Sequence, residues 1–183
     1  VIVPGGATFG DYLRPGALCK PSPICGPIRK FAMDGGPVLG IGNGFQILCE
    51  IGVLPGILLL NKCGRFLNEE VYVTAEPEIK NPFVKHIEAE TVLKFPLACS
   101  YARFHADKRT LQDIEDNGQV VFRYSDQFGE LDLDENSKIG STNAIAGLAN
   151  RHHNVLGLMV HPERAIEEVM GSTTGLEILN KIL

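Results

Sequence analysis

The chain has 183 residues, 44% apolar and 21% charged, which is material for one core in a single domain over residues 1–183 and carries no signature of disorder. Lys and Arg number 17 against 22 Asp and Glu, a formal charge of −5, which argues against a nucleic-acid backbone or an anionic membrane as the main partner. Five cysteines without a Cys-x-x-Cys pair point to reduced thiols in a cytoplasmic setting, and the apolar stretches are cut by Gly and Pro before any could span a bilayer.

In chain order, Val1-Ile2-Val3 reads as a strand stopped by Pro4-Gly5-Gly6, and the Gly- and Pro-rich stretch from Ala7 reads as loop. Helical spacing of apolar residues predicts a helix over Pro27 to Asp34, closed by Gly35-Gly36. Pro37 to Ile41 is apolar throughout, as suits a strand buried on both faces, and Asn43 to Ile51 follows at once as a helix. A strand, a tight turn and a helix without a linker mark the α/β class. Shorter strands are expected at Gly56 to Leu60, Val71 to Thr74, Val92 to Leu97 and Val120 to Tyr124, with a charged helix from Thr110 to Asp116. The acidic stretch Asp126 to Glu135 reads as a solvated loop. Ala144 to Ala149 and Val155 to Val160 read as strands, and Glu163 to Met170 and Thr174 to Leu183 as helices.

Three segments carry chemistry. In Gly40-Ile41-Gly42-Asn43-Gly44-Phe45-Gln46 a buried strand turns sharply into a helix. Such a turn exposes residue 42 above the sheet with helix N–H groups aimed at the same point. Taken alone, it is a structural turn, a nucleophile elbow or a nucleotide loop, although Phe45 stands where a dinucleotide fingerprint needs glycine. In His161-Pro162-Glu163, extended chain places a carboxylate beside an imidazole, the orienting arrangement of a nucleophile–His–acid triad. The same three residues also suit a helix N-terminus with the histidine in solvent. Pro4-Gly5-Gly6 by itself is only a turn, one that lets backbone N–H groups face a bound oxygen. No His/Cys/Asp set has the spacing of a metal site.

Together and in this order, these segments resemble the triad-type (class I) glutamine amidotransferases. The wider wording, PGGATFGDYLRPGA from Pro4, GPVLGIGNGFQILCEIGVLPGILLLN from Gly36, GQVVFRY from Gly118 and NAIAGLANRHHNVLGLMVHPERA from Asn143, resembles the glutaminase subunits of phosphoribosylformylglycinamidine (FGAM) synthase over essentially the whole chain. The resemblance implies a flavodoxin-like α/β fold with a mostly parallel central sheet flanked by helices. It implies a cysteine at the elbow that attacks the side-chain amide of glutamine, with His161 as general base then acid and Glu163 orienting it. An oxyanion hole would come from the Gly5-Gly6 turn, chiefly Gly6, and from Asn43, with Gln46 near the substrate. Ammonia would pass to a large ATP-dependent synthetase subunit for the conversion of formylglycinamide ribonucleotide to its amidine in purine biosynthesis. A small third subunit would complete the complex. ATP and magnesium would belong to the partner, leaving this chain without a cofactor.

Three departures stand out. Residue 42 is glycine where the family has its nucleophilic cysteine, so the chain is not expected to form a glutamyl thioester. Cys49 lies two helical turns on, ~10 Å away by helical rise, and Cys19, Cys25, Cys63 and Cys99 match no nucleophile motif. Retained His161, Glu163 and Gln46 point to a family member altered at residue 42; the alternative is a non-catalytic scaffold subunit of the same complex. The run Leu97 to Phe104 has Cys99 and Tyr101 where the family carries a histidine and an acidic residue. The family also opens with a further βα unit of roughly 40 residues, expected to precede Val1. The Asp11-Tyr12-Leu13-Arg14 loop is a candidate partner contact.

Overall fold

The computed structural model describes residues 1–11 and 13–180. Nine strands and four α-helices alternate along the described chain: β1 (Ile2–Val3), α1 (Cys25–Met33), β2 (Val38–Ile41), α2 (Asn43–Glu50), β3 (Ile57–Leu59), β4 (Leu67–Ala75), β5 (Val92–Cys99), β6 (Arg103–His105), α3 (Lys108–Asp116), β7 (Val120–Ser125), β8 (Ile145–Ala149), β9 (Val155–Leu158) and α4 (Leu176–Leu179). Seven strands form one sheet in the order β1-β2-β9-β8-β7-β4-β5, while β3 and β6 pair separately. No helix among the described residues is long and apolar enough to cross a membrane.

The α/β class holds, and the sheet is divided in its direction. The ladders β1–β2 and β2–β9 are parallel, whereas β9–β8, β8–β7, β7–β4 and β4–β5 are antiparallel. The expectation of a mostly parallel sheet therefore applies only to the part that carries the elbow. In the rest, β4–β5, β7–β8 and β8–β9 pair strands adjacent in that sheet's chain order, whereas β7 meets β4 across the intervening β5, β6 and α3.

Strand β2 is buried at all four positions, as its unbroken apolar run requires. All eight residues of α2 are buried too. One side packs on the sheet, where a Cβ on Gly157 would fall 2.2 Å from the Phe45 ring. The loop before α1 covers another side, Gly16 lying so close that a Cβ there would meet the Ile47 amide nitrogen at 2.8 Å. Phe45 in turn stacks on Phe104 of β6, with centroids 6.5 Å apart. The short β3–β6 ribbon thus packs against α2.

Helix α3 begins at Asp107, whose carboxylate accepts from the Arg109 and Thr110 amides at 3.0 Å. The acidic stretch after β7 is mostly exposed, as expected. The expected helix over Glu163 to Met170 is instead two 3-10 turns, Pro162–Arg164 and Glu168–Met170. Between them Glu167 is extended, and the Ala165 carbonyl accepts from the Gly175 amide at 2.7 Å, folding the chain back on itself. The final helix is described through Leu179, and residues 181–183 of the expected span lie outside the described residues.

Candidate active site

Residue 42 joins β2 to α2 at φ +53° and ψ −110°, a backbone region that an L side chain enters only under strain. The turn is held by its amide, which donates to the Leu158 carbonyl of β9 at 2.7 Å. It is tight because α2 starts directly against the end of β1: a Cβ on Gly44 would sit 1.9 Å from the Val3 carbonyl oxygen. Asn43 opens the helix, so its N–H has no intrahelical acceptor.

His161 leaves the sheet after β9 and is 3% exposed. Its amide donates to the Pro96 carbonyl of β5 at 2.9 Å, and its Nδ1 lies 2.7 Å from Glu163 Oε1. A carboxylate at Nδ1 favours the tautomer protonated there and leaves Nε2 as the basic atom. Nε2 is buried and has no hydrogen-bond partner among the described residues. It faces the elbow: a Cβ built on Gly42 would lie 3.4 Å from Nε2 and 3.0 Å from Cε1. Gly5 backs the same ring, its own Cβ position being 3.1 Å from Cε1. The histidine does stand at the start of a 3-10 turn, Pro162–Arg164, but it is buried between the two glycine turns and not in solvent.

These three turns are drawn from residues 5, 42 and 161, and residues 1–178 match the family described as a CobB/CobQ-like glutamine amidotransferase domain. The chain belongs to that family. It is 44% identical over 183 residues to the phosphoribosylformylglycinamidine synthase subunit PurQ of Aquifex aeolicus, covering all of this chain and 80% of the relative. Identity to the PurQ subunit of Methanosarcina barkeri is 42%, over 100% of this chain and 78% of that one. In the structure of PurLQS from Thermotoga maritima, a chain superposes with a TM-score of 0.84 at 37% identity, covering 99% of this chain and 76% of that one. The glutaminase domain of Trypanosoma brucei CTPS with bound acivicin shares the fold, with a TM-score of 0.58 at 14% identity over 98% of this chain and 69% of that one.

In this amidotransferase chain the elbow and the histidine open on a cavity of about 490 Å³. Of the residues singled out from sequence, Gly6, Gly42, Asn43, Gln46 and His161 line it, while Gly5 and Glu163 stand behind the imidazole. Gly6 is at φ +142°, with nothing within 4 Å of its Cβ position. The side chains of Asn43 and Gln46 do more than line the wall. Asn43 Oδ1 accepts from the Thr8 amide at 3.3 Å and from the Thr8 hydroxyl, and Asn43 Nδ2 donates to Gln46 Oε1 at 2.8 Å. Gln46 Nε2 donates to the Tyr101 carbonyl at 2.9 Å. The chain of bonds ties the loop after β1, the start of α2 and the segment after β5 into one rim.

Thr8 and the Tyr101 carbonyl were not anticipated as part of this rim. Their signal was weak: Thr8 lies in an otherwise featureless loop, and a carbonyl has no residue identity to read. The departing run Leu97 to Phe104 does reach the site, since Ala98, Cys99, Ser100 and Tyr101 line the cavity. Cys99, which matches no nucleophile motif, is therefore at the site. Cys49 is not in the lining; its thiol is buried and donates to the Pro55 carbonyl at 3.6 Å. Burial, with a smaller contribution from Glu50, pushes that thiol far above its ordinary range, so it is no substitute nucleophile. Among the described residues no group of three His, Cys, Asp or Glu side chains could hold a metal ion.

The candidate partner loop also makes an internal contact. Tyr12 lies outside the described residues, and Leu13 is 83% exposed. Arg14 turns inward to the buried carboxylate of Glu50 at the end of α2, through Nε and, at 3.0 Å, through Nη2; Lys20 reaches the same carboxylate at 3.2 Å. Burial works against the charge on Glu50, but the two cations outweigh it and hold its carboxyl below the ordinary value.

Proposed function

We propose that residues 1–183 are a single glutaminase domain that supplies ammonia to an ATP-dependent synthetase. The reaction proposed for the complex converts formylglycinamide ribonucleotide to formylglycinamidine ribonucleotide. The observation that carries this reading is the buried Nε2 of His161, unpartnered and facing the side-chain position of residue 42, with Glu163 on the other ring nitrogen. That is the geometry of a general base waiting for a nucleophile's proton. The relatives' names and the PurLQS likeness support the choice of synthetase and of a complex with large and small partner subunits.

With a thiol at residue 42, glutamine lies in the cavity with its amide carbon over the elbow. His161 takes the thiol proton, sulfur adds to the amide carbon, and the oxyanion meets the N–H groups of Gly6 and Asn43. Collapse expels ammonia with the proton from His161, and water then releases glutamate. Gln46 holds the rim against Tyr101. ATP and magnesium are assigned to the synthetase partner, with no cofactor acting in this chain, and the proposed setting is the cytoplasm.

Gly42 carries no thiol, so the chain by itself forms no acyl-enzyme. That same glycine favours a second reading, a scaffold subunit that keeps the fold and docks without hydrolysing glutamine. Gly42→Cys separates them. Ammonia release that appears in this variant and rises with the synthetase partner supports the glutaminase. A variant that folds and docks yet stays silent supports the scaffold.

A further inference from the structure

Gly42 leaves room for chemistry at the elbow to come from outside the chain. Three features meet there: a turn without a side chain, a cavity of about 490 Å³ open to it, and the buried, unpartnered Nε2 of His161. An ideal Cβ at residue 42 would press on His161 Cε1 at 3.0 Å, closer than ordinary contact. A sulfur that is not attached to the backbone has no such Cβ and need only reach the space next to Nε2.

We propose that the site binds a low-molecular-weight thiol of the hydrosulfide or methanethiol class above Gly42 and uses it as the nucleophile on glutamine. The proposal rests on the glutaminase reading. His161 Nε2 accepts the proton from the S–H group, and a new C–S bond forms at the amide carbon. The C–N bond breaks, and nitrogen leaves as ammonia with the proton that His161 returns. Water then adds to the thioester while His161 takes one of its protons. The C–S bond breaks, and the sulfur leaves with that proton. Glutamine and water become glutamate and ammonia, the thiol is regenerated, and no oxidant or reductant enters. A thiol suits the position better than water because its pKa lies within reach of an imidazole base. Carbon on the sulfur crowds its approach to an amide carbon held in the same cavity, so hydrosulfide is favoured over methanethiol, and a tert-butyl thiol is disfavoured most.

The test uses the unaltered full-length chain with its synthetase partner. Ammonia and glutamate are measured against hydrosulfide, methanethiol and tert-butyl thiol concentration, with His161→Ala and Gly42→Cys run in parallel. The expected result is a saturable rise of about 100-fold with hydrosulfide, the scale of a positioned general base. A smaller rise follows with methanethiol and the smallest with tert-butyl thiol, and His161→Ala removes the effect. A rise that does not saturate, or that His161→Ala shares, overturns the proposal. Silence of the unaltered chain with every thiol, while Gly42→Cys releases ammonia, overturns it and leaves the glutaminase standing. Silence of both removes the glutaminase reading and this inference with it.

Discussion

Gly44→Ala is the sharpest structural perturbation of the elbow. A Cβ at residue 44 lands 1.9 Å from the Val3 carbonyl oxygen, 2.7 Å from its carbon and 3.1 Å from the Pro4 carbonyl oxygen. All three are backbone atoms, so no rotamer change relieves the contact. Reaching ordinary van der Waals distance from 1.9 Å takes about 1.5 Å of separation between α2 and β1. Overpacking of this kind destabilises by about 1–3 kcal/mol, or about 2–12 °C in Tm for a chain of this size. The movement also pulls the Asn43 N–H away from the Pro4-Gly5-Gly6 turn, and a misplacement of about 1 Å costs about 100-fold in catalysis. Thermal unfolding of Gly44→Ala is compared with that of Gly26→Ala, a helical position with nothing within 4 Å of its Cβ. The second variant is expected to be neutral or more stable by up to about 1 kcal/mol. Ammonia release is then measured with Gly44→Ala placed in the Gly42→Cys background. Unchanged Tm and unchanged activity for Gly44→Ala would refute the claim that β1 and α2 meet backbone to backbone at the site.

Glu50→Gln tests the tie between the loop before α1 and α2. The folded carboxyl is lowered from 4.5 by Arg14 and Lys20 acting against burial. Its contribution is therefore present at neutral pH and lost as pH falls through the folded pKa. The variant should lose about 1–2 kcal/mol at pH 7, a figure reduced because Arg14 and Lys20 are 41% and 55% exposed. Its stability should also vary less with acidification than the parent's, as urea titrations at several pH values will show. Glu163→Gln in the Gly42→Cys background should lower kcat by about 10²–10⁴-fold with little change in Tm, because an amide no longer fixes the His161 tautomer; a kcat within twofold of the background would remove Glu163 from the triad. Gln46→Ala in the same background breaks the bond to the Tyr101 carbonyl and one of the Asn43 contacts. Its KM for glutamine should rise more than its kcat falls, and equal losses in both would point to a role at the reacting atoms instead.

Residues with strong local demands were legible in sequence. The elbow could be read because glycines bracket residue 42: a Cβ on Gly40 or Gly44 would meet backbone atoms at 2.9 and 1.9 Å where β2 gives way to α2. The pairing of His161 with Glu163 was legible too, although Glu163 reaches the ring from a 3-10 turn and not from the extended chain expected. The antiparallel half of the sheet was not, because pairing direction depends on where distant segments meet. Strand β4 runs from Leu67, well ahead of the apolar stretch that marked it, with Asn68, Glu69 and Glu70 facing Ala98, Leu97 and Pro96. Strand β6 has three residues, two of them Arg103 and His105, and owes its conformation to β3. The helix expected over Glu163 to Met170 had suitable composition, but the contact of Gly175 with Ala165 outweighed local preference. At the site, the candidate residues were easier to read from sequence than the bonds among them. The Thr8–Asn43–Gln46–Tyr101 chain depends on three segments arriving together.

What His161 faces is the central claim, and a trapped acyl intermediate tests it most directly. Gly42→Cys protein is mixed with glutamine, quenched in acid within the turnover time, digested, and the peptide containing residue 42 is analysed by mass spectrometry. A glutamyl thioester on residue 42, absent when His161→Ala is added and absent from the unaltered chain, is the expected result. Glutamine hydrolysis by the Gly42→Cys protein with no adduct at residue 42, or equal hydrolysis by the unaltered chain without added thiol, would contradict it.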